Sequence, residues 1–168
     1  VQILDVLTTM AKTSRLGPVF IGADWHDVTA AVGEPWDVGS MSRRRQWPRL
    51  FAYGDLELSV CRCQKVSLVC VQTWRDVIEL PPSLADGTDT FPAELRHSDV
   101  VSALDDAGCS WEPYAPLTFG DQCSLVVTPS RASFTFEIPE GEEPVLHVMG
   151  LPGDGHDCSA RSAGHQVP

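Results

Sequence analysis

No apolar run in this 168-residue chain approaches the ~20 residues of a membrane-spanning helix. The N-terminal candidate, residues 1–10, is interrupted by Asp5 and has no basic segment ahead of it, so neither a membrane span nor a secretory leader is read there. The expected home is the cytoplasm, with secretion left open because a chain that opens on Val can have been processed.

Phosphate cradles are also missing. Gly17, Gly22, Gly33 and Gly39 fit neither G-x-G-x-x-G nor G-x-x-x-x-G-K, and no lysine stands where such a loop needs one. There is no G-x-S-x-G, and Pro129-Ser130-Arg131 reads as a hairpin turn rather than a strained nucleophile elbow. Basic residues are scarce, with 12 Lys and Arg against 23 Asp and Glu. The deficit is uneven: residues 1–90 carry nine basic against eleven acidic, and residues 91–168 three against twelve. Duplex nucleic acid, whose phosphates need Lys and Arg, is therefore a poor partner, and acidity favours solubility or a basic protein partner.

Cysteines number six, at 61, 63, 70, 109, 123 and 158, too irregular for a disulfide-stapled framework. They read as free thiols in or beside strands, with Cys61 and Cys63 on one face of a strand. A metal set built from Cys61, Cys63, His156, Asp157, Cys158 and His165 is the alternative, but structural zinc sites usually space their cysteines as C-x2-4-C on tight turns. No metal and no cofactor is expected. Asp105-Asp106 and Glu142-Glu143 read as solvated charge on a helix end and a turn.

What is present is a soluble globular composition, 43% hydrophobic and 21% charged, which excludes disorder throughout. Ile3, Leu7, Met10 and Ala11 at helical spacing predict a first amphipathic helix over residues 1–12, closed by Gly17 and Pro18. Asp24 can cap a second helix running to Gly33, with Trp25, Val28, Ala31 and Val32 as its apolar face and Pro35 as the stop. The segment from Trp36 to Arg49 is a loop or edge hairpin carrying the one basic-aromatic patch, Trp36, Arg43, Arg44, Arg45 and Trp47. Leu56, Leu58 and Val60 alternate with polar residues, and a second strand over 66–71 completes a hairpin.

Residues 81–90, with two prolines and Gly87, read as a linker. Past it the order recurs: a helix from His97 or Ser98 to a stop at Gly108, then Trp111, then Phe119-Gly120-Asp121 opening strands with Cys123, Leu125 and Val127, then Phe134, Phe136 and Ile138, and finally 145–151. Asp27-Val28 maps onto Asp99-Val100 at an offset of 72, and Tyr53-Gly54-Asp55 onto Phe119-Gly120-Asp121 at 66. The expected fold is therefore α+β, helices packed on an antiparallel sheet in two diverged units. The units are residues 1–80 and 91–152, with linker 81–90 between them and a flexible tail at 153–168. Gly33 and Pro35 serve as helix stops. Tyr53, Gly54, Asp55 and Phe119, Gly120, Asp121 are expected to form one repeated corner, its aromatic packed beneath.

Residues 21–38, IGADWHDVTAAVGEPWDV, followed by 51–60, FAYGDLELSV, resemble a bacterial module in which a short helix ending in Leu/Val-Gly-x-Pro leads to a Tyr-Gly-Asp strand. Several such proteins are immunity-protein candidates encoded beside toxins. The doubled helix-then-sheet plan is also similar to the beta-lactamase inhibitor protein and to the SmpA/BamE group, whose lipoproteins need an N-terminal lipidated Cys that this chain lacks. The resemblance implies a non-enzymatic protein-binding protein of the immunity or inhibitor kind. Its partner would be a protein, such as a basic toxin or enzyme, and neither nucleic acid nor membrane. Trp36, Trp47 and Trp111 with Arg43, Arg44 and Arg45 are the candidate anchors, because aromatic and Arg side chains dominate interface energetics. The alternatives are a small enzyme or ligand-binding protein with a pocket between helix and sheet, which a polar cleft with converging His and carboxylates would favour, and a metal-stabilised structural domain.

Overall fold

The computed structural model describes residues 2–42 and 45–153, without the side chains of residues 40–42 and 45. Among the described residues three α-helices, α1 (Ile3–Thr13), α2 (Trp25–Val32) and α3 (His97–Asp106), accompany twelve strands. The strands are β1 (Arg15–Leu16), β2 (Val19–Phe20), β3 (Asp37–Ser42), β4 (Arg45–Tyr53), β5 (Leu56–Val60), β6 (Val66–Gln72), β7 (Val77–Glu79), β8 (Thr90–Pro92), β9 (Ser110–Pro113), β10 (Gln122–Thr128), β11 (Ser133–Glu137) and β12 (Val145–Leu151). Eight of them form one antiparallel sheet in the order β3-β4-β5-β6-β12-β11-β10-β9, and β1-β2 and β7-β8 are separate hairpins. The chain is thus α+β and mostly sheet.

Sequence spacing explains the elements. Ile3, Val6, Leu7, Met10 and Ala11 are all buried, one stripe of α1. Its end differs from expectation: Ser14 takes the left-handed conformation at φ 58°, while Gly17 turns the β1-β2 hairpin. Asp24 caps α2 as its position predicts, accepting the His26 N–H at 3.0 Å and Lys65 Nζ at 3.1 Å, which ties the helix to the turn before β6. Those bonds hold its carboxyl below the ordinary range, Lys65 contributing most. Of its expected apolar face, Val28 is buried, Trp25 and Val32 pack on the core, and Ala31 is exposed. Gly33 closes α2 at φ 101°. At α3 the capping residue is Arg96, not His97 or Ser98: its N–H donates to Asp99 Oδ2, while Ser98 N–H donates to Glu143 Oε1 at 2.8 Å.

Alternation sorts the sheet into two faces. Leu56, Leu58, Val69, Val71, Met149, Phe134, Phe136 and Leu125 are cross-strand neighbours buried on one face. They belong to a hydrophobic core running without a break from Ile3 to Leu151, so the expected first and second units share one interior. Glu57, Ser59, Cys70, Gln72, Val148, Thr135 and Ser124 form the other face, where Ser124 Oγ lies 2.9 Å from Thr135 Oγ1 and Gln72 Nε2 donates to Glu57 at 3.0 Å. Cys61 and Cys63 are not on a strand: β5 stops at Val60, and both lie in the turn that follows. The tail, with its candidate metal ligands His156, Asp157, Cys158 and His165, lies outside the described residues apart from Gly153.

Residues 81–90 do more than link. They close the β7-β8 hairpin through a 3-10 turn at Pro82–Leu84, with Leu80 N–H donating to Asp89 O and Ala85 buried.

Two weak acids, the buried Tyr53 hydroxyl and the half-buried Cys70 thiol, set an alkaline limit on the fold. Burial, with Glu34 adding to it, pushes the Tyr53 hydroxyl from 10.0 up to about 12; burial, with Glu57 adding to it, pushes the Cys70 thiol from 9.0 up to about 11. Between pH 9 and 12 the unfolded chain therefore ionises these groups while the folded chain keeps their protons, so stability falls as pH rises through this window. Urea midpoints measured from about pH 8 to about pH 11 should decline, and Tyr53→Phe should flatten the upper part; equal midpoints across the range contradict this origin.

Candidate functional site

The strand ends of an eight-stranded sheet make two rims. One consists of the start of β3, the β4-β5 turn, the end of β6, the β11-β12 connection and the β9-β10 connection. The exposed large hydrophobic side chains among the described residues stand along it, Trp36, Val38, Trp74, Phe119 and Ile138, with Val77 on the adjoining β7-β8 hairpin. Seven strand spacings of ~4.8 Å make that rim about 34 Å long.

The rim is rigid where Tyr53-Gly54-Asp55 turns β4 into β5. Tyr53 is fully buried, its hydroxyl donating to Gly33 O at 2.8 Å, and Gly54 sits at φ +65°. An added Cβ on Gly54 would meet Glu79 O at 2.6 Å and the Trp36 ring at 2.7 Å, so this glycine is required by both conformation and contact. Asp55 is 2% exposed; its N–H donates to Glu79 O at 2.9 Å and its carboxylate accepts the Glu79 N–H at 2.8 Å. Phe119-Gly120-Asp121 is a different corner. Gly120 shares the left-handed backbone at φ +58°, but Phe119 is 63% exposed, Asp121 is exposed, and nothing lies within 4 Å of an added Cβ. It also joins β9 to β10, the first and second strands of its meander, whereas Tyr53-Gly54-Asp55 joins the second and third. The shared letters mark a common turn chemistry at two inequivalent places.

At the middle of the rim lies a cleft of about 470 Å³, between Trp74–Asp76, Pro92–Glu94, Glu137 and 145–147. Its origin is a mismatch of strand lengths. β12 pairs with β6 only from Val148 onward, because β6 ends at Gln72. Residues 145–147 are held instead by the chain before α3, through Leu146 N–H to Leu95 O, and by Thr73, whose hydroxyl donates to Leu146 O at 2.7 Å. The chain after Thr73 turns away from the sheet and leaves the gap.

Trp74 and His147 stand nearly parallel in the cleft, ring centroids 6.5 Å apart. Arg75 lies over the Trp74 ring at 4.9 Å and points its Nε at buried Asp55, 3.6 Å away. His147 Nδ1 is 3.4 Å from Glu137 Oε2, and Glu94 holds Arg96 at 2.8 Å. The lining thus brings one imidazole among three carboxylates, Asp76, Glu94 and Glu137. It contains no cysteine or serine, and its one hydroxyl, on Thr73, is buried and engaged. No group of three or more metal-ligating side chains occurs among the described residues.

The residues singled out from the sequence do not converge. Trp36 is on the rim, 55% exposed. Trp47 is half-buried against the core with Arg49 over its ring at 5.5 Å. Trp111 is on β9, the opposite edge of the sheet, half-buried and donating its indole N–H to Asp105 at 2.9 Å. Arg43 and Arg44 lie outside the described residues, as does the side chain of Arg45. Gly33 and Pro35 end α2 and bring the chain to Trp36. Trp74-Arg75 after a strand carries the same aromatic-plus-arginine signal as residues 36–49, while His147 has no such signal in the sequence around it. No protein-family model, curated protein or solved structure matches this chain.

Proposed function

We propose that this protein is a non-enzymatic protein-binding protein of the immunity or inhibitor kind, and that it meets its partner with the rim running from Trp36 past Trp74 to Phe119. One observation carries the reading: the exposed large hydrophobics among the described residues gather on that rim and the adjoining β7-β8 hairpin. Scattered apolar side chains need no explanation, whereas aromatics aligned on a rigid edge and interspersed with charge have the composition of a contact surface. An acidic chain of formal charge -11 suits a basic partner by steering.

The scaffold reading that accompanies it is two diverged units, α2 with β3–β6 and α3 with β9–β12, joined by pairing of their last strands. Three features support it. The strand order reads alike from either edge. Each helix precedes a four-stranded meander. The residue capping each helix bridges the start of the last strand, Asp24 to Lys65 just before β6 and Arg96 to Val145 of β12. On this reading the cleft lies on the seam between the units.

The test is a tagged chain recovered from lysate of its source, with captured proteins quantified by mass spectrometry. A partner enriched by wild type should fall about tenfold with Trp36→Ala/Phe119→Ala and persist with Glu112→Gln, an exposed change on β9. Absence of any specific partner, or equal capture by the rim variant, overturns the proposal.

The cleft favours a second reading, a ligand-binding pocket, because His147 and three carboxylates share its lining. It lies at the seam rather than between helix and sheet, and its lining holds no serine or cysteine. Small-molecule binding that raises the melting temperature and survives Trp36→Ala/Phe119→Ala would put this reading first.

A further inference from the structure

We propose that the rim cleft seats a lysine or arginine side chain from a basic segment of the partner protein, an assignment that rests on the protein-binding reading above and specifies its chemistry. Three observations converge. The first is charge. Asp76, Glu94 and Glu137 line the cleft, and the cations nearby are engaged: Arg75 with buried Asp55 at 3.6 Å, Arg96 with Glu94 at 2.8 Å. Asp76 has no cation within pairing distance among the described residues, and Glu137 faces only an imidazole, at 3.4 Å. A fixed cation entering here gains carboxylates that are now unmatched.

The second is the wall. Trp74 is 55% exposed, and with His147 it presents aromatic surface beside those carboxylates. Indole together with carboxylate is the combination that retains an alkylammonium or guanidinium head, the ring by its quadrupole and the acids by charge. The ring already accepts one such head, the Arg75 guanidinium at 4.9 Å. The third is position. The cleft stands where β6 meets β12, with four strands on either side, and is flanked by Trp36 and Val77 toward one end of the rim and by Ile138 and Phe119 toward the other. Contacts at the centre of an interface, ringed by apolar residues that exclude water, are those that dominate affinity. A volume of about 470 Å³ admits one long basic side chain with its neighbouring backbone.

The other recesses offer less. The groove between α1 and α3 is lined by Asp5, Asp99 and Asp106, but Asp5 and Asp99 accept the N–H groups that start their own helices.

The experiment uses the whole chain and an N-acetylated, C-amidated peptide alternating Lys and Gly, with its Gln/Gly counterpart as control, titrated calorimetrically at low salt. The Lys peptide should bind and the Gln peptide should not. Asp76→Asn/Glu94→Gln/Glu137→Gln should weaken binding about fivefold or more, and Asp27→Asn/Asp86→Asn/Glu112→Gln, the same loss of charge on exposed sites elsewhere, less than about twofold. Melting temperatures identify any variant that fails to fold, in which case Glu137→Gln alone should still weaken binding. Trp74→Phe should remove the fluorescence change that accompanies titration. Equal weakening by the two triple variants would reduce the effect to diffuse acidity and overturn the assignment, as would no binding of the Lys peptide. Neither result touches the protein-binding reading, which stands or falls on capture by the Trp36→Ala/Phe119→Ala variant.

Discussion

Gly54→Ala is expected to lower the melting temperature by about 6–12 °C, from a cost of about 3 kcal/mol at ~2–4 °C per kcal/mol for a chain of this size. Two penalties add. At φ +65° a Cβ meets the following carbonyl, which costs about 1 kcal/mol. The same Cβ would stand 2.6 Å from Glu79 O and 2.7 Å from the Trp36 ring, so β7 or the indole must move. The internal control is Gly120→Ala, with φ +58° and open space around it, for which only the conformational cost of about 1 kcal/mol applies. Thermal unfolding of both variants checks the argument. If they melt together, the corner at Gly54 is not clamped.

Asp55→Ala is expected to cost about 1–3 kcal/mol, because it strips the Glu79 N–H of its buried carboxylate acceptor, with loss of the charge facing exposed Arg75 adding little. The Glu79 N–H donates to that carboxylate at 2.8 Å. Asp55→Asn keeps an oxygen for that N–H and loses only the charge facing half-exposed Arg75, an effect of about 1 kcal/mol or less. Urea unfolding of the pair should therefore rank Ala well below Asn. Equal losses would mean that the ion pair, not the backbone hydrogen bond, holds the corner. Asp121→Ala, on an exposed turn, should change stability by no more than about 0.5 kcal/mol. Asp55 also steadies Arg75 over Trp74, so this substitution is expected to disturb the cleft as well as the fold.

Local order was legible because local rules produce it. The stripe of α1, the Asp24 cap, the Gly33 stop, and the alternation of β5, β10 and β11 each depend on residues a few positions apart, and each appears in the structure. Structure and local expectation differ where a local signal has two outlets. Gly17 can end a helix or turn a hairpin, and the β1-β2 pairing took it for the second. The prolines and Gly87 of 81–90 can mark a linker or a tight connection, and β7-β8 pairing made them the connection. Aromatic-Gly-Asp predicts a turn correctly at both positions; whether the aromatic is buried depends on what packs against it, Trp25 and the Gly33 carbonyl for Tyr53 and solvent for Phe119.

The candidate site was less legible for the same reason. Trp36, Trp47 and Trp111 are alike as letters, yet one stands on a rim, one packs beside Arg49 and one is bonded to α3 at the far edge. Trp74 is more than sixty residues of chain from Glu137 and His147 and meets them only because β12 returns to pair with β6. By itself the sequence determined that this is an acidic α+β chain with an antiparallel sheet and turns at Gly54 and Gly120, since charge, spacing and turn chemistry are properties of neighbours. The tertiary structure alone decided that the apolar surface collects on one rim and that a cleft opens at its centre. Both follow from which strands pair and where each stops, and those are set by contacts between residues far apart in the chain.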